Sequence, residues 1–200
     1  METEDAMAME QPATSAGATS ERARMKALLD GQHRILRLIH EDRPLAETLT
    51  QICLMIEGQV EGMLASILLL DEEGTHLMHG AAPNLPAEYI EAIDRISIGP
   101  NVGACGAAAY TGEPCVIEDM ATHPNCVAFR EVASVRCGLR GLWSTPIRAY
   151  DGRVVATFAM YYRVPKLPTL ADRKLIDFTS HLVTIAVNRH RDREFLGADA

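Results

Sequence analysis

The sequence predicts an α+β fold in which helices from both ends of the chain flank an antiparallel sheet. Two short turns, at 71–74 and 150–152, each lie between apolar strands, and strands joined by so short a turn run antiparallel. A stretch with helical periodicity precedes the first hairpin and another follows the second. Between the hairpins, glycines, short strand-like runs and a turn alternate along segment 99–147. They alternate too closely for the long helices of a bundle, so we expect this segment to form the wall of a pocket.

Composition limits the classes of function. The chain has 200 residues, 48% hydrophobic and 23% charged, which fits one soluble domain with additional helices. The formal net charge of −8 argues against nucleic-acid and anionic membrane partners, because both need clustered Lys and Arg. Without an apolar run of spanning length or a signal-peptide pattern, the protein is expected to be cytoplasmic. The five cysteines include no C-x-x-C pair, so we expect reduced thiols and no metal site.

The chain before the first strand divides into three segments. Residues 1–20 are small and polar, so we expect a disordered tail. Residues 21–43 place Leu28, Ile35 and Ile39 at helical spacings and are predicted to form a signalling and dimerisation helix. A proline then begins a second helix, because proline is tolerated in a first turn.

The strands at 63–70 and 153–163 are apolar on both alternating faces, which is typical of strands covered on both sides. The strands at 75–80 and 139–149 are their hairpin partners. Shorter elements are predicted in between: helices at 86–93, 102–110 and 127–135 and a strand at 116–117.

The last helix is predicted over residues 170–195. Leu175, Phe178, Leu182 and Ile185 recur at helical spacings, and a second apolar stripe runs beside them. One stripe can cover the sheet while the other pairs with the N-terminal helix or with a second copy of the chain. The sequence therefore predicts a homodimer formed through the stripes of both terminal helices.

Six motifs carry a family resemblance: A-S-I-L-L-L-D-E-E-G at 65–74, H-G-A-A-P-N-L-P at 79–86, I-G-P-N-V-G-A-C-G-A-A-A-Y-T-G-E-P at 98–114, I-E-D-M-A-T-H-P at 117–124, G-L-R-G-L-W-S-T-P-I at 138–147 and D-G-R-V-V-A-T-F-A-M-Y-Y at 151–162. With the order of elements, they make residues 44–189 resemble a GAF domain of the bacterial sensory type. Residues 190–200 are then the end of the last helix and a tail.

The resemblance implies a GAF/PAS-like architecture and a sensory function. A central antiparallel sheet carries the helices from both termini on one face and, on the other, a pocket roofed by short helices and loops. Similar domains stand beside histidine-kinase, PAS or GGDEF/EAL modules, so the implied partner is an output kinase or a cyclic-di-GMP module. The implied function is to bind a small ligand or sense redox state, without catalytic residues or a required cofactor, and to relay the result through a homodimer.

The resemblance and the predicted strand faces together give the candidate pocket residues: Ser66, Leu68, His79, Tyr89, Cys105, Cys126, Phe129, Arg130, Trp143 and Thr145. Trp143 offers a flat surface to a planar ligand and serves equally well in core packing. Arg130 can pair with a carboxylate or phosphate, or it can be a surface cation. Cys126 stands where relatives often have tryptophan, which places a thiol in the pocket or enlarges it.

Three alternative functions stay open at this point. His79 or His123 can serve as an axial ligand in a haem-binding gas sensor, although the His123 and Cys126 pair alone is too small for a metal site. The thiols of Cys105 or Cys126 can act in a reductase related to free methionine sulfoxide reductases. The third alternative is a dimerisation module that binds no ligand.

Overall fold

The computed structural model describes the backbone of residues 13–198 and the side-chain environments of residues 21–193. The elements are α1 (Ala13–His40), α2 (Leu45–Glu57), β1 (Leu64–Leu70), β2 (His76–Ala81), α3 (Ala87–Ile93), β3 (Ile96–Ser97), α4 (Gly103–Thr111), β4 (Cys115–Ile117), a 3-10 turn (Pro124–Cys126), a π-helix (Glu131–Arg136), β5 (Gly141–Arg148), β6 (Val154–Tyr162) and α5 (Leu170–Ala198).

The six strands form one sheet in the order β3-β2-β1-β6-β5-β4, and every neighbouring pair is antiparallel. The central strands are β1 and β6, which are the two whose faces are both apolar in the sequence. Their register pairs Ile67 with Phe158. The predicted α+β class and the antiparallel sheet are confirmed.

Side chains on the two faces of the sheet belong to two separate cores. The helix-side core lies under α1, α2 and α5, and its largest fully buried members include Ile35, Ile52, Ile67, Trp143 and Phe158. The roof-side core lies under α3, α4 and the π-helix, and its members include Leu68, Leu77, Ile117, Met120, Leu139 and Tyr161. Because strand side chains alternate, β1 and β6 contribute to both cores.

The N-terminal helix begins earlier than the sequence pattern indicated. Residues 13–20, which we expected in a disordered tail, are the first turns of α1. They contain several alanines, and alanine has the highest intrinsic helix propensity. The rest of the predicted tail, residues 1–12, lies outside the described residues.

The predicted dimerisation stripes are used mostly within the chain. Ile35 and Leu182 are only 1% and 2% exposed in the helix-side core. Four other members, Leu28, Ile39, Leu175 and Phe178, are partly buried against that core, and Ile185 remains 36% exposed. Helical periodicity identifies an apolar face but does not say which surface covers it, and here α2 and the sheet cover it.

A different apolar stripe of α1 faces outward. Met25, Leu29 and Leu36 are 55%, 46% and 36% exposed, and their spacings of four and seven residues place them along one side of the helix. The corner after α1 is joined to the last helix, because the Asp42 carboxylate forms ion pairs with Arg189 and Arg193 at 3.3 and 3.1 Å.

The roof differs from its prediction in two places. The α-helix expected at 127–135 does not form: residues 127–129 are a turn, and a π-helix begins at Glu131. The two-residue strand β3 was not predicted, because two residues are too few to show an alternating pattern. None of the helices in the described part of the chain combines the length and apolar character that a bilayer span requires.

Candidate ligand-binding site

A small cavity lies in the roof-side core between the sheet and the roof. Five of the predicted pocket residues line it: Leu68, Tyr89, Cys105, Cys126 and Phe129. The sequence did not single out its other lining residues, which are Ile93, Ile96, Gly103, Ala104, Met120, Leu142 and Tyr161. Alternation along β6 does place Tyr161 on this face, so that signal was present in the sequence.

The cavity is nearly filled in this arrangement. The centre of a water-sized sphere can occupy only about 10 Å³ of it, which is room for about one water molecule. The cause is α4, whose buried Ala104, Cys105 and Ala108 allow the helix to approach β5 and β6 closely. A larger ligand therefore requires the roof to move.

Buried hydroxyl groups lie next to this cavity, but only those of Tyr89 and Tyr161 belong to its lining. Ser66 and Tyr161 are fully buried, and their hydroxyl oxygens lie 3.1 Å apart in a hydrogen bond. The Tyr89 ring meets the Tyr161 ring edge-on, with centroids 5.6 Å apart. The hydroxyls of Ser144 and Thr157 are also buried, and the Cys105 thiol lies beside both of them without forming a hydrogen bond of good geometry. Buried polar groups without partners are uncommon in folded proteins.

Burial keeps the thiols at the cavity protonated. It raises the pKa of the Cys105 thiol, although the hydroxyls of Ser144, Thr157 and Tyr161 beside the sulfur oppose the shift. Burial also raises the pKa of Cys126 to about 11. A thiolate is the reactive form of cysteine, so these thiols are poor nucleophiles at neutral pH.

Cys126 should therefore react only slowly with an alkylating reagent in the folded protein. With a pKa of about 11, about one Cys126 thiol in ten thousand is ionised at pH 7, and the ionised fraction rises tenfold per pH unit until it nears the pKa. Peptide mass spectrometry after iodoacetamide treatment between pH 7 and 10 measures this. A rate that levels off below pH 9 would contradict the raised pKa, and denatured protein provides the reference rate.

The roof is attached to the sheet and to itself by ion pairs. Arg140 donates from Nε and Nη2 to the Asp119 carboxylate at 2.7 and 2.6 Å, and this lowers the pKa of Asp119. The Asp119 carboxylate also accepts from the Ala121 N–H, which shapes the turn before the 3-10 turn. An exposed ion pair between Arg136 and Glu88 joins the π-helix to α3.

Three predicted polar residues, Ser66, His79 and Arg130, lie outside the lining of the cavity. His79 is exposed at the roof side of β2, and its main-chain N–H donates to Asp94 at 2.9 Å. Arg130 approaches Cys126 from the roof, and its Nε is buried without a partner.

His123 is not part of the cavity lining either. Its Nδ1 accepts from the Asn125 N–H at 3.2 Å within the 3-10 turn, so the imidazole caps this turn. Among the described residues, no group of three or more His, Cys, Asp or Glu side chains is arranged to hold a metal ion.

Trp143 and Thr145 were placed on the wrong face of the sheet. Trp143 belongs to the helix-side core, where Nε1 donates to the Lys166 carbonyl at 3.0 Å and the ring packs on Tyr162 with centroids 4.8 Å apart. Thr145 follows it on the same face, beside α5. Strand alternation separates Trp143 from Ser144 correctly, but it does not say which of the two faces the pocket.

The buried Asp172 ties the start of α5 to this aromatic pair. Its carboxylate accepts from the Thr169 N–H at 2.8 Å and the Thr169 hydroxyl at 2.7 Å, as expected of a helix N-terminus. The Tyr162 hydroxyl donates to it at 3.4 Å. Lys166 lies over the Tyr162 ring, with Nζ 3.9 Å from the centroid and 3.8 Å from the Asp172 carboxylate.

Comparison with known proteins identifies one family and one curated relative. A family model described as GAF domain matches residues 42–188. A methyl sulfide methyltransferase-associated sensor from Methanosarcina acetivorans is 31% identical over 168 residues, covering 84% of this chain and 17% of the sensor. The chain thus spans about a sixth of the length of that relative.

Solved structures share the fold at low identity. A protein described as a GAF sensor from Burkholderia vietnamiensis superposes with a TM-score of 0.65 at 18% identity, over 84% of this chain and 98% of that one. The free methionine-R-sulfoxide reductase from Neisseria meningitidis, solved with its substrate, gives 0.67 at 16% identity, over 93% and 98%. At these identities the likeness establishes the fold alone.

Proposed function

The chain belongs to the GAF domain family, and we propose that it is a non-catalytic sensor. A small ligand binds in the roof-side cavity and changes the packing of the terminal helices in a homodimer. This change in packing regulates an output kinase or a cyclic-di-GMP module. The similarity to a sensor from M. acetivorans supports the sensory part of this proposal.

One observation carries the proposal: a single sheet separates the cavity from the core of both terminal helices. On β6, Tyr161 lies on the cavity floor while its neighbours Met160 and Tyr162 belong to the helix-side core. A displacement of β6 by a ligand therefore acts directly on α5, which in turn packs on α1 and α2. Close-packed interiors transmit such displacements because they are not freely compressible.

Hydrogen exchange tests the relay. The protein is purified under native conditions, native mass spectrometry identifies any retained organic molecule, and exchange in α1 and α5 is compared before and after that molecule is removed. We expect exchange in both helices to be at least about threefold slower in the loaded protein. A bound molecule that leaves both helices unchanged would refute the relay.

The reductase alternative is weaker because of its thiols. Burial raises the pKa of both Cys105 and Cys126, whereas a catalytic cysteine needs a lowered one. The solved reductase shares the fold, so the alternative deserves a direct assay. We expect no turnover of free methionine-R-sulfoxide with dithiothreitol as the reductant, and turnover abolished by Cys105→Ser would establish the enzyme instead.

The dimerisation module is the second candidate, and the size of the cavity favours it. Room for about one water admits neither an organic ligand nor haem while the roof is closed. The absence of any retained molecule, together with unchanged exchange in the roof when small molecules are added, would support this candidate over the sensor. The histidines considered as haem ligands, His79 and His123, do not line the cavity.

The homodimer is proposed to use the outward stripe of α1, namely Met25, Leu29 and Leu36. Their exposure leaves an apolar strip for a second copy of the helix. We expect Leu29→Glu combined with Leu36→Glu to shift a dimer to monomer, because the two carboxylates would be buried without partners. Light scattering after gel filtration measures the mass.

The matched control for this experiment is Val135→Glu, which adds a carboxylate at a residue 68% exposed on the roof. It should leave the mass unchanged. A dimer that survives the double substitution would exclude the α1 stripe as the interface.

A further inference from the structure

We propose that a second pocket, on the helix side of the sheet, binds a small zwitterion with an apolar body, of which an aliphatic amino acid is the simplest example. We call it the edge pocket, because it lies where the outermost strand β4 and its neighbour β5 meet the first turns of α5. It shares no lining residue with the roof-side cavity. The inference therefore goes beyond the proposed function and does not depend on it.

The edge pocket is large enough for such a molecule. Its volume is about 250 Å³, compared with about 10 Å³ for the roof-side cavity on the same measure. This is room for several water molecules, whereas the roof-side cavity has room for about one. A small organic molecule therefore fits beside α5 without any movement of the fold.

Most of the wall of the edge pocket is apolar. Its apolar lining residues are Pro114, Val116, Trp143, Pro168 and Ile176. Val116 is 37% exposed, so part of this apolar surface is in contact with water. Covering apolar surface with an aliphatic group is favourable, because it removes both surfaces from water. The wall thus accounts for the apolar body of the ligand.

Two opposite charges of α5, Arg173 and Asp177, also line the edge pocket. They are four residues apart, a spacing at which opposite charges on a helix can pair. Arg43 and Glu47 have the same spacing and order, and they form an ion pair at 2.9 Å. The side chains of Arg173 and Asp177, by contrast, form no ion pair or hydrogen bond with each other or with any other described residue. Both charges are therefore available to a ligand.

The two charges together determine which ligand charge is favoured. A carboxylate that approaches Arg173 meets the like charge of Asp177 nearby, and an ammonium group that approaches Asp177 meets Arg173. A molecule with one charge therefore gains one attraction and one repulsion. A zwitterion gains two attractions when its carboxylate faces Arg173 and its ammonium group faces Asp177. Its aliphatic group can then lie against the wall that contains Trp143.

Matched probes test the charge of the ligand. Leucine, 4-methylpentanoate and 3-methylbutylamine share one aliphatic group, and the last two lack the ammonium group and the carboxylate, respectively. Each is titrated into the full chain, and the indole N–H resonance of Trp143 reports on the pocket, since the protein has a single tryptophan. We expect leucine to bind at least about threefold more tightly than either analogue, because exposed ion pairs are individually weak.

Neutral variants test the two charged residues. Arg173→Gln should weaken the binding of leucine about threefold and strengthen that of 3-methylbutylamine, because it removes one attraction and one repulsion. Asp177→Asn should also weaken leucine binding, but it should strengthen the binding of 4-methylpentanoate. Both positions are exposed, so neither substitution should disturb the fold.

The matched control is Lys174→Gln, which removes an exposed cation next to Arg173 that is not part of the lining. It should leave all three affinities unchanged. If it weakens leucine binding as much as Arg173→Gln does, the effect is one of overall charge and the site is wrong.

The remaining outcomes test the class of ligand and the place where it binds. If leucine binds no more tightly than its two analogues, the zwitterionic class is wrong. Leucine binding that is unchanged in both Arg173→Gln and Asp177→Asn takes place elsewhere in the chain and overturns the assignment to the edge pocket. The absence of any shift of the Trp143 resonance with all three probes overturns it as well.

Discussion

Replacing Trp143 with alanine is expected to lower the free energy of unfolding by about 3–5 kcal/mol. The side chain is 2% exposed in the helix-side core, so its removal leaves a cavity between the sheet and α5. It also removes the packing on Tyr162 and leaves the Lys166 carbonyl without the indole N–H. Urea unfolding followed by far-ultraviolet circular dichroism measures the change, since the protein has a single tryptophan.

Trp143→Phe provides the control for this prediction. It keeps a ring in the core and loses the hydrogen bond, so we expect a loss of about 1–2 kcal/mol. Both variants should retain any affinity for ligands of the cavity when compared under folded conditions, because Trp143 lies across the sheet from it. A Trp143→Phe variant that is fully stable but no longer binds a cavity ligand would contradict this placement.

Replacing Asp172 with alanine is expected to cost about 2–3 kcal/mol. The change removes the acceptor of the Thr169 N–H and hydroxyl at the start of α5, and loss of such a cap typically costs about 1 kcal/mol. It also leaves the Tyr162 hydroxyl without its acceptor in a buried position, which adds about 1–2 kcal/mol. Urea unfolding monitored by Trp143 fluorescence measures the loss.

The matched control is Asp177→Ala, one and a half turns further along α5. Asp177 is exposed, and the contact it makes with His181 uses its main-chain carbonyl, which the substitution keeps. We expect a change within about 0.5 kcal/mol. Equal changes in the free energy of unfolding for the two substitutions would show that Asp172 stabilises the protein only through its negative charge and not through its buried contacts.

The fold could be predicted from the sequence because its signals are local. Turn residues such as Gly74 and Gly152, which have φ values of +70° and +86°, mark the two hairpins within a few residues. Alternation then separates Ile67 from Leu68 on β1, and the structure places them in different cores. These signals depend on neighbouring residues alone.

The remaining features depend on contacts between distant residues. Alternation could not say that Trp143 faces α5, because that depends on which helices cover which face. Helix α1 carries two apolar stripes, one containing Leu29 and the other containing Ile35. Which of them is buried depends on the position of α2, and the structure buries the stripe with Ile35. The position of Ser144 beside the Cys105 thiol likewise depends on the packing of α4 against β5.

The two outermost strands of the sheet are very short: β3 contains two residues and β4 contains three. Long exposed edge strands offer main-chain N–H and C=O groups to foreign chains and so promote aggregation. Here each outermost strand offers only two or three residues of main chain, so another polypeptide can pair with little of it. The short outermost strands thus discourage growth of the sheet across chain boundaries.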